Sequence, residues 1–234
     1  MEAPEKYRVL DGTMLKCFAM VCMLVDHVGD IFFPGVRWMR MVGRLAMPIF
    51  SFFIAEGFAH SSNKKNYLLR MGLFALISEV PFDLAFDGTI GFSHQNVMVT
   101  FFLALLALTG YDTITNNNRM LSNVRERAKR GLGFLWAFAL AILAFVLQTD
   151  YSGFGVLTVF LFYVYRNHAH WIRCAAGVGF MALTHTKGIY VTVGLSFFPL
   201  LLYNGQKGRG LKWLFYAFYP GHLLVLYLIK LLLR

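Results

Sequence analysis

Asp26, His27 and Asp30 stand inside an apolar run that reads from Leu15 to Phe33. A charged group at the centre of a lipid-spanning helix costs roughly 2.5–3.5 kcal/mol on insertion scales. Such residues therefore face a protein interior or a wet cavity and mark functional sites. On a helix His27 and Asp30 share a face, whereas Asp26 points about 100° away from His27. A carboxylate beside imidazole sets its tautomer and raises its basicity, which suits a general base working near neutral pH. Arg44, between Gly43 and Leu45 in the next apolar run, needs a carboxylate or an anionic ligand nearby. An Arg44 pair with Asp26 or Asp30, clamping two helices, is the structural alternative for those carboxylates.

Further polar groups sit in or beside apolar runs: Glu79 and Asp83 around Pro81, then His94, Gln95 and Asn96, then Asp150-Tyr151, and His222 in the last run. Glu56 and His60 belong to the other side, where Glu56 is expected to pair with Lys64, Lys65 or Arg70. Asp150-Tyr151 follows a polar break and reads as a turn. His94, His168, His170 and His185 read as loop histidines.

The elements that must position these groups are helices in a membrane. Of the 234 residues 58% are hydrophobic and 15% charged, a balance soluble domains do not show. Apolar windows fall at 15–33, 41–58, 67–86, 96–110, 132–149, 154–166, 171–184, 190–203 and 211–233. They predict an all-α polytopic bundle of about nine spans, within a range of eight to ten. Residues 1–14 form a cytoplasmic amino-terminal segment and 15–233 one transmembrane domain, with a basic cytoplasmic loop at about 111–131. The first run is not read as a cleavable signal, because Asp26, His27 and Asp30 interrupt it. Pro48, Pro81, Pro199 and Pro220 lie within the predicted spans, each freeing a carbonyl one turn earlier.

The net charge of +10 is topological rather than a nucleic-acid footprint. With the amino terminus in the cytoplasm, that side receives Lys6, Arg8 and Lys16, then Lys64, Lys65 and Arg70, then Arg119, Arg125, Arg127, Lys129 and Arg130. It also receives Arg166 and Arg173, then Lys207, Arg209 and Lys212, leaving Arg37, Arg40, Arg44, Lys187, Lys230 and Arg234 toward the outer side. On this topology His27, Asp30, Arg44, Glu79, Asp83, Asn96 and Asp150 gather in the outer half. Cys17, Cys22 and Cys174 are unpatterned and read as apolar packers. No metal-ligand spacing, phosphate-binding Walker loop or nucleophile elbow is present, so no metal is expected. The loop with Gly205, Lys207, Gly208, Arg209 and Gly210 could cradle a phosphate or simply connect two helices.

Several segments together resemble the TraX family of membrane proteins, named for amino-terminal acetylation of pilin. They are Met23-Leu24-Val25-Asp26-His27-Val28-Gly29, Gly43-Arg44-Leu45-Ala46-Met47-Pro48, Ala55-Glu56-Gly57-Phe58, Ser78-Glu79-Val80-Pro81-Phe82-Asp83 and Phe218-Tyr219-Pro220-Gly221-His222. The resemblance implies an acetyltransferase of the bacterial inner membrane that uses cytoplasmic acetyl-CoA and acts on a small molecule or a protein amino terminus. In that reading His27 is the base, Asp26 or Asp30 orients it, and Arg44, Glu79, Asp83, Asn96 and His222 hold substrate. Lys64, Lys65, Arg70, Lys207 and Arg209 bind the nucleotide of the donor. Membrane lipid and a second copy of the chain are the other expected partners. The competing class is a proton-coupled transporter using the same buried Asp, His and Glu residues.

Overall fold

The computed structural model describes residues 8–116, 124–184 and 189–233. Lys6, Arg119, His185, Lys187 and Arg234 lie outside the described residues. The described chain is helical: α1 (Gly12–Phe32), α2 (Arg37–Gly43), α3 (Ala46–Ala59), α4 (Lys64–Phe86), α5 (Val97–Asn116) and α6 (Glu126–Val146). After these come α7 (Ser152–Val164), α8 (His170–Thr184), α9 (Ile189–Leu195), α10 (Phe197–Leu201) and α11 (Lys212–Leu232). Helix occupies each apolar window. Among the described residues four stretches are long and apolar enough to cross a membrane by length and composition: 37–59, 97–116, 126–146 and 212–232. The nine-span count is therefore carried by these only in part, since α1 and α4 are long but charged and the remaining helices are short.

Proline decides where two of the helices break. Pro48 has no N–H to give the carbonyl of Arg44, and the chain is interrupted between α2 and α3 at Arg44 and Leu45. Pro199 likewise withholds a donor from the carbonyl of Leu195, where α9 ends. Pro81 and Pro220 sit inside continuous α4 and α11. The polar connection between α5 and α6 is shorter than the 111–131 loop read from composition. Thr113 and Thr115 turn their hydroxyls back onto the α5 carbonyls of Thr109 and Tyr111, so helix persists to Asn116.

α5 and α7 form the centre, with α3, α4, α6 and α8 packed around them. Close approach uses small residues: a Cβ on Gly153 of α7 would meet the backbone oxygen of Ala141 in α6 at 2.4 Å. The outward face of α6 presents Leu135, Phe138, Ile142, Phe145 and Val146. An apolar surface of this kind belongs in lipid.

The chain runs back and forth between two ends. At one end the link from α10 to α11 docks on the start of α1: Gly12 N–H donates to Gln206 O at 2.8 Å and Thr13 Oγ1 to Arg209 O at 2.8 Å. Asp11 caps α1 by accepting from Met14 N–H at 2.8 Å. At the other end Asp150 N–H donates to Gln95 O at 2.8 Å, and Thr100 Oγ1 donates to the carbonyl of Asp150. Two loops far apart in sequence are thereby tied together over the bundle.

Glu56 does not pair with Lys64, Lys65 or Arg70. Its Oε2 lies 2.6 Å from Arg173 Nη1, while Arg173 Nε donates to Phe162 O at 2.9 Å and its guanidinium lies over Phe52. Lys64 instead pairs with Asp112 at 2.6 Å. The Glu56–Arg173 pair joins α3 to α8 within the bundle, so removing one partner strands a buried charge, a loss of about 3–5 kcal/mol. Arg173→Met is expected to lower the thermal midpoint in detergent, and Glu56→Gln placed on it should recover part of the loss. Equal midpoints for Arg173→Met and wild type would show that the pair holds nothing.

Candidate functional site

His27 is buried, and its partner is neither Asp26 nor Asp30. Its Nδ1 lies 2.7 Å from Nε2 of His222 on α11, and the two rings stack with centroids 5.0 Å apart. His222 Nδ1 lies 2.7 Å from the carbonyl oxygen of Phe218. A carbonyl only accepts, so His222 Nδ1 carries a hydrogen and the Nε2 of the neutral ring is an acceptor. His27 Nδ1 then donates to it, which leaves His27 Nε2 with a free lone pair. The order Phe218 carbonyl, His222, His27 is an arrangement that holds an imidazole in one tautomer.

Asp26 and Asp30 are both engaged by Arg40, whose Nη1 lies 3.1 Å from an oxygen of each. The expectation that one of them orients His27 is thus corrected. Helical spacing set a shared face, but a guanidinium from α2 took the carboxylates. Arg44 does not clamp a carboxylate either; its Nη1 donates to the Tyr151 hydroxyl at 3.1 Å. Tyr151 adopts a left-handed backbone, φ 61°, which is costly for a bulky residue and is held by the tied 148–152 link.

Glu79, Asp83 and Asn96 are brought together away from His27. Asn96 Nδ2 donates to Glu79 and to Ala75 O, its Oδ1 accepts from Met98 N–H, and Asp83 accepts from Gly91 N–H at 2.9 Å. These bonds fasten the α4–α5 link and start α5, and none of the three residues lines a cavity described below.

A cavity of about 570 Å³ runs along α1, α3, α4 and α11. Its mouth lies at the docked end, lined by Lys16, Arg70, Lys207, Arg209 and Lys212, and its depth reaches His27, Asp150 and Tyr151. From Gly12 to His27 along α1 is about 22 Å. Lys64 and Lys65 do not line it, whereas Arg70, Lys207 and Arg209 do. Lys16 sits over the rings of Phe53 and Phe215 and, with the four other cations of the mouth, has no carboxylate at ion-pair distance among the described residues. Among the described residues no cluster of His, Cys, Asp or Glu could hold a metal.

Sequence reasoning missed Arg40, placed with the outer charges, and undervalued Asp150-Tyr151, taken for a turn. The signal for the second was present: a Tyr after a polar break at the same depth as His27. Lys16 and Lys212 were read as topology alone, because only the docking of the 204–211 link onto α1 puts them around one opening.

The fold and site define an all-helical membrane bundle with a histidine pair at the depth of a basic-mouthed cavity. The chain belongs to the TraX family, whose model, described as TraX protein, matches residues 11–230. It is similar to the probable fimbrial assembly protein FimC, serogroup H1, of Dichelobacter nodosus, 29% identical over 94% of this chain and 96% of that protein. A stretch of 45 residues, 19% of this chain and 18% of the other, is 42% identical to the uncharacterized protein RP591 of Rickettsia prowazekii (strain Madrid E). No solved structure matches.

Proposed function

We propose that this protein transfers an acetyl group from acetyl-CoA to an amine or hydroxyl acceptor, with His27 as the general base. The observation that carries the reading is the free Nε2 of His27 at the depth of a cavity whose mouth is a glycine-rich basic loop. The cavity volume falls within the range of small-molecule sites. Five cations without carboxylate partners among the described residues suit a phosphate-bearing nucleotide, and the apolar passage beyond them suits the thin arm that carries the thioester. In the reaction His27 Nε2 accepts the proton of the acceptor as its nitrogen or oxygen bonds to the thioester carbonyl carbon. The carbon–sulfur bond then breaks, and the imidazolium returns the proton to the CoA thiolate. Arg44 and the Tyr151 hydroxyl are the groups available to stabilise the carbonyl oxygen as it gains charge.

The topology follows. Nine helical passes, α1, α2–α3, α4, α5, α6, α7, α8, α9–α10 and α11, cross a bacterial cell membrane, with the docked basic end and the amino terminus in the cytoplasm where the donor is found. The similarity to a protein named for fimbrial assembly makes the amino terminus of a fimbrial subunit the first acceptor to try.

Purified protein in liposomes should release free CoA thiol from acetyl-CoA when an acceptor is present. Transport of a solute with no CoA release from any acceptor would replace this reading with the transporter one. Lys207→Gln with Arg209→Gln should raise KM for acetyl-CoA by at least about tenfold and leave kcat nearly unchanged, since each charge-assisted contact is worth about 1.5–3 kcal/mol and acts far from the reacting bond. Acetyl-pantetheine, which lacks the nucleotide, should be indifferent to the same change. An equal effect on both donors would remove the loop from the nucleotide site.

A further inference from the structure

His27 and Asp150 line not one cavity but two. The second, of about 210 Å³, is bounded by Asp26, Asp30, Arg40 and Arg44, with Phe82, Phe86 and His94 completing it. Every one of those residues belongs to the end of the bundle opposite the basic mouth: the last part of α1, the α2 region, the end of α4 and the link before α5. The first cavity follows α1 for about 22 Å to His27. The second takes up at Asp26 and His27 and continues past Asp30, so the two together traverse a thickness close to the roughly 30 Å of a bilayer core.

We infer that the second cavity is the acceptor site, and that the acceptor reaches His27 from the membrane face opposite the one the acetyl donor uses. This rests on the acetyl-transfer reading and adds to it where the nucleophile binds. The chemistries of the two linings differ. The donor cavity is mainly apolar between the cations at its mouth and His27, whereas the second is polar, with three carboxylates and two guanidiniums around a small volume.

Arg40 is occupied by Asp26 and Asp30, which stiffens one wall. Arg44 has no carboxylate at ion-pair distance among the described residues, and its Nε is buried without a hydrogen-bond partner. It therefore offers donors to a carbonyl or anionic oxygen of the acceptor. Asp150, which lines both cavities and is fixed there by the tie between residues 95 and 148–152, can hold the hydrogens of an amine or hydroxyl beside His27. A polar acceptor end enters and the acetylated end withdraws on one side. The donor and free CoA come and go on the other, and the acceptor need not cross the membrane.

The test uses single cysteines in protein lacking Cys17, Cys22 and Cys174, probed with a membrane-impermeant sulfonated methanethiosulfonate in right-side-out and inverted vesicles. Ser61→Cys reports the donor mouth, His94→Cys the opposite face, and His27→Cys the junction. The expected result is that Ser61→Cys and His94→Cys each react about tenfold faster from one vesicle orientation, in opposite senses, while His27→Cys reacts from both. Asp150→Cys, also on both cavities, serves as the junction reporter if His27→Cys fails to fold. Labelling of Ser61→Cys and His94→Cys from the same side, or of both junction reporters only from the Ser61 side, would overturn the inference. Opposed labelling in a protein that frees no CoA would keep the passage and remove the acetyl chemistry. CoA release with an acceptor confined to the Ser61 side would keep the chemistry and remove the opposed sites.

Discussion

His27→Gln is expected to cut acceptor-dependent CoA release about 10³-fold while the protein stays folded. A positioned general base supplies about 10²–10⁴ in rate, and no other described group with a free basic nitrogen sits at the meeting point of the cavities. Glutamine is preferred to alanine because its amide can still donate to Nε2 of His222, where alanine would leave that buried acceptor unpaired at a cost of about 1–3 kcal/mol. KM for acetyl-CoA should stay within about threefold of wild type, because on the proposed reading the nucleotide sits at the mouth, about 22 Å away. His27→Ala should be equally inactive but less stable. Wild-type turnover by His27→Gln would end the assignment of His27 as base.

The second large effect belongs to His222. On the acetyl-transfer reading it is a positioning residue: its Nε2 accepts the His27 Nδ1 hydrogen, and the bond from its own Nδ1 to Phe218 O sets which nitrogen does so. His222→Leu removes the acceptor and lets His27 take the other tautomer, with the lone pair turned away from the cavity. An orienting partner of a catalytic histidine can be worth up to about 10⁴ in kcat, and a loss of about 10² or more is expected here with little change in KM. His222→Gln, whose carbonyl can accept from His27, should restore a large part of the rate. A merely structural role predicts no such rescue: both variants would lose activity in proportion to their loss of thermal midpoint. That proportionality is the outcome that would demote His222.

A third expectation ties the fold to the site. A Cβ on Gly43 would fall 2.1 Å from Cβ of Asp26, so Gly43→Ala must push α2 away from α1. The Asp26–Arg40–Asp30 cluster would open while the His27–His222 pair stayed in place. Activity should fall through KM for the acceptor rather than KM for acetyl-CoA, and the two measured side by side decide it.

Much of the bundle was legible because lipid imposes its rule residue by residue. Length and apolarity placed a helix on each window, and the cost of burying ionisable groups singled out Asp26, His27, Asp30 and Arg44. For the loop from Gly205 to Gly210 the glycines and cations leave two readings open, a phosphate cradle or a plain connector between helices. What could not be read was pairing. Along α1 the spacing made Asp30 the natural partner of His27, yet local spacing says nothing about a residue 195 positions away. His222 became that partner because α11 starts beside α1 and packs along it. Arg40 took the carboxylates because the turn at 33–36 folds α2 back onto α1, where Gly29 and Gly43 let the two backbones meet closely.

The sequence by itself determined that this protein is helical, apolar enough for a membrane, and carries a histidine within an apolar run, because those properties follow from solvation and periodicity. Only the tertiary structure decided that His27 pairs with His222, that Glu79, Asp83 and Asn96 fasten the α4–α5 link, and that Lys16, Arg70 and Arg209 line one opening. Those outcomes depend on which helices become neighbours. Neighbours are chosen by the packing of whole faces, with glycines such as Gly43 and Gly153 setting how closely two backbones meet.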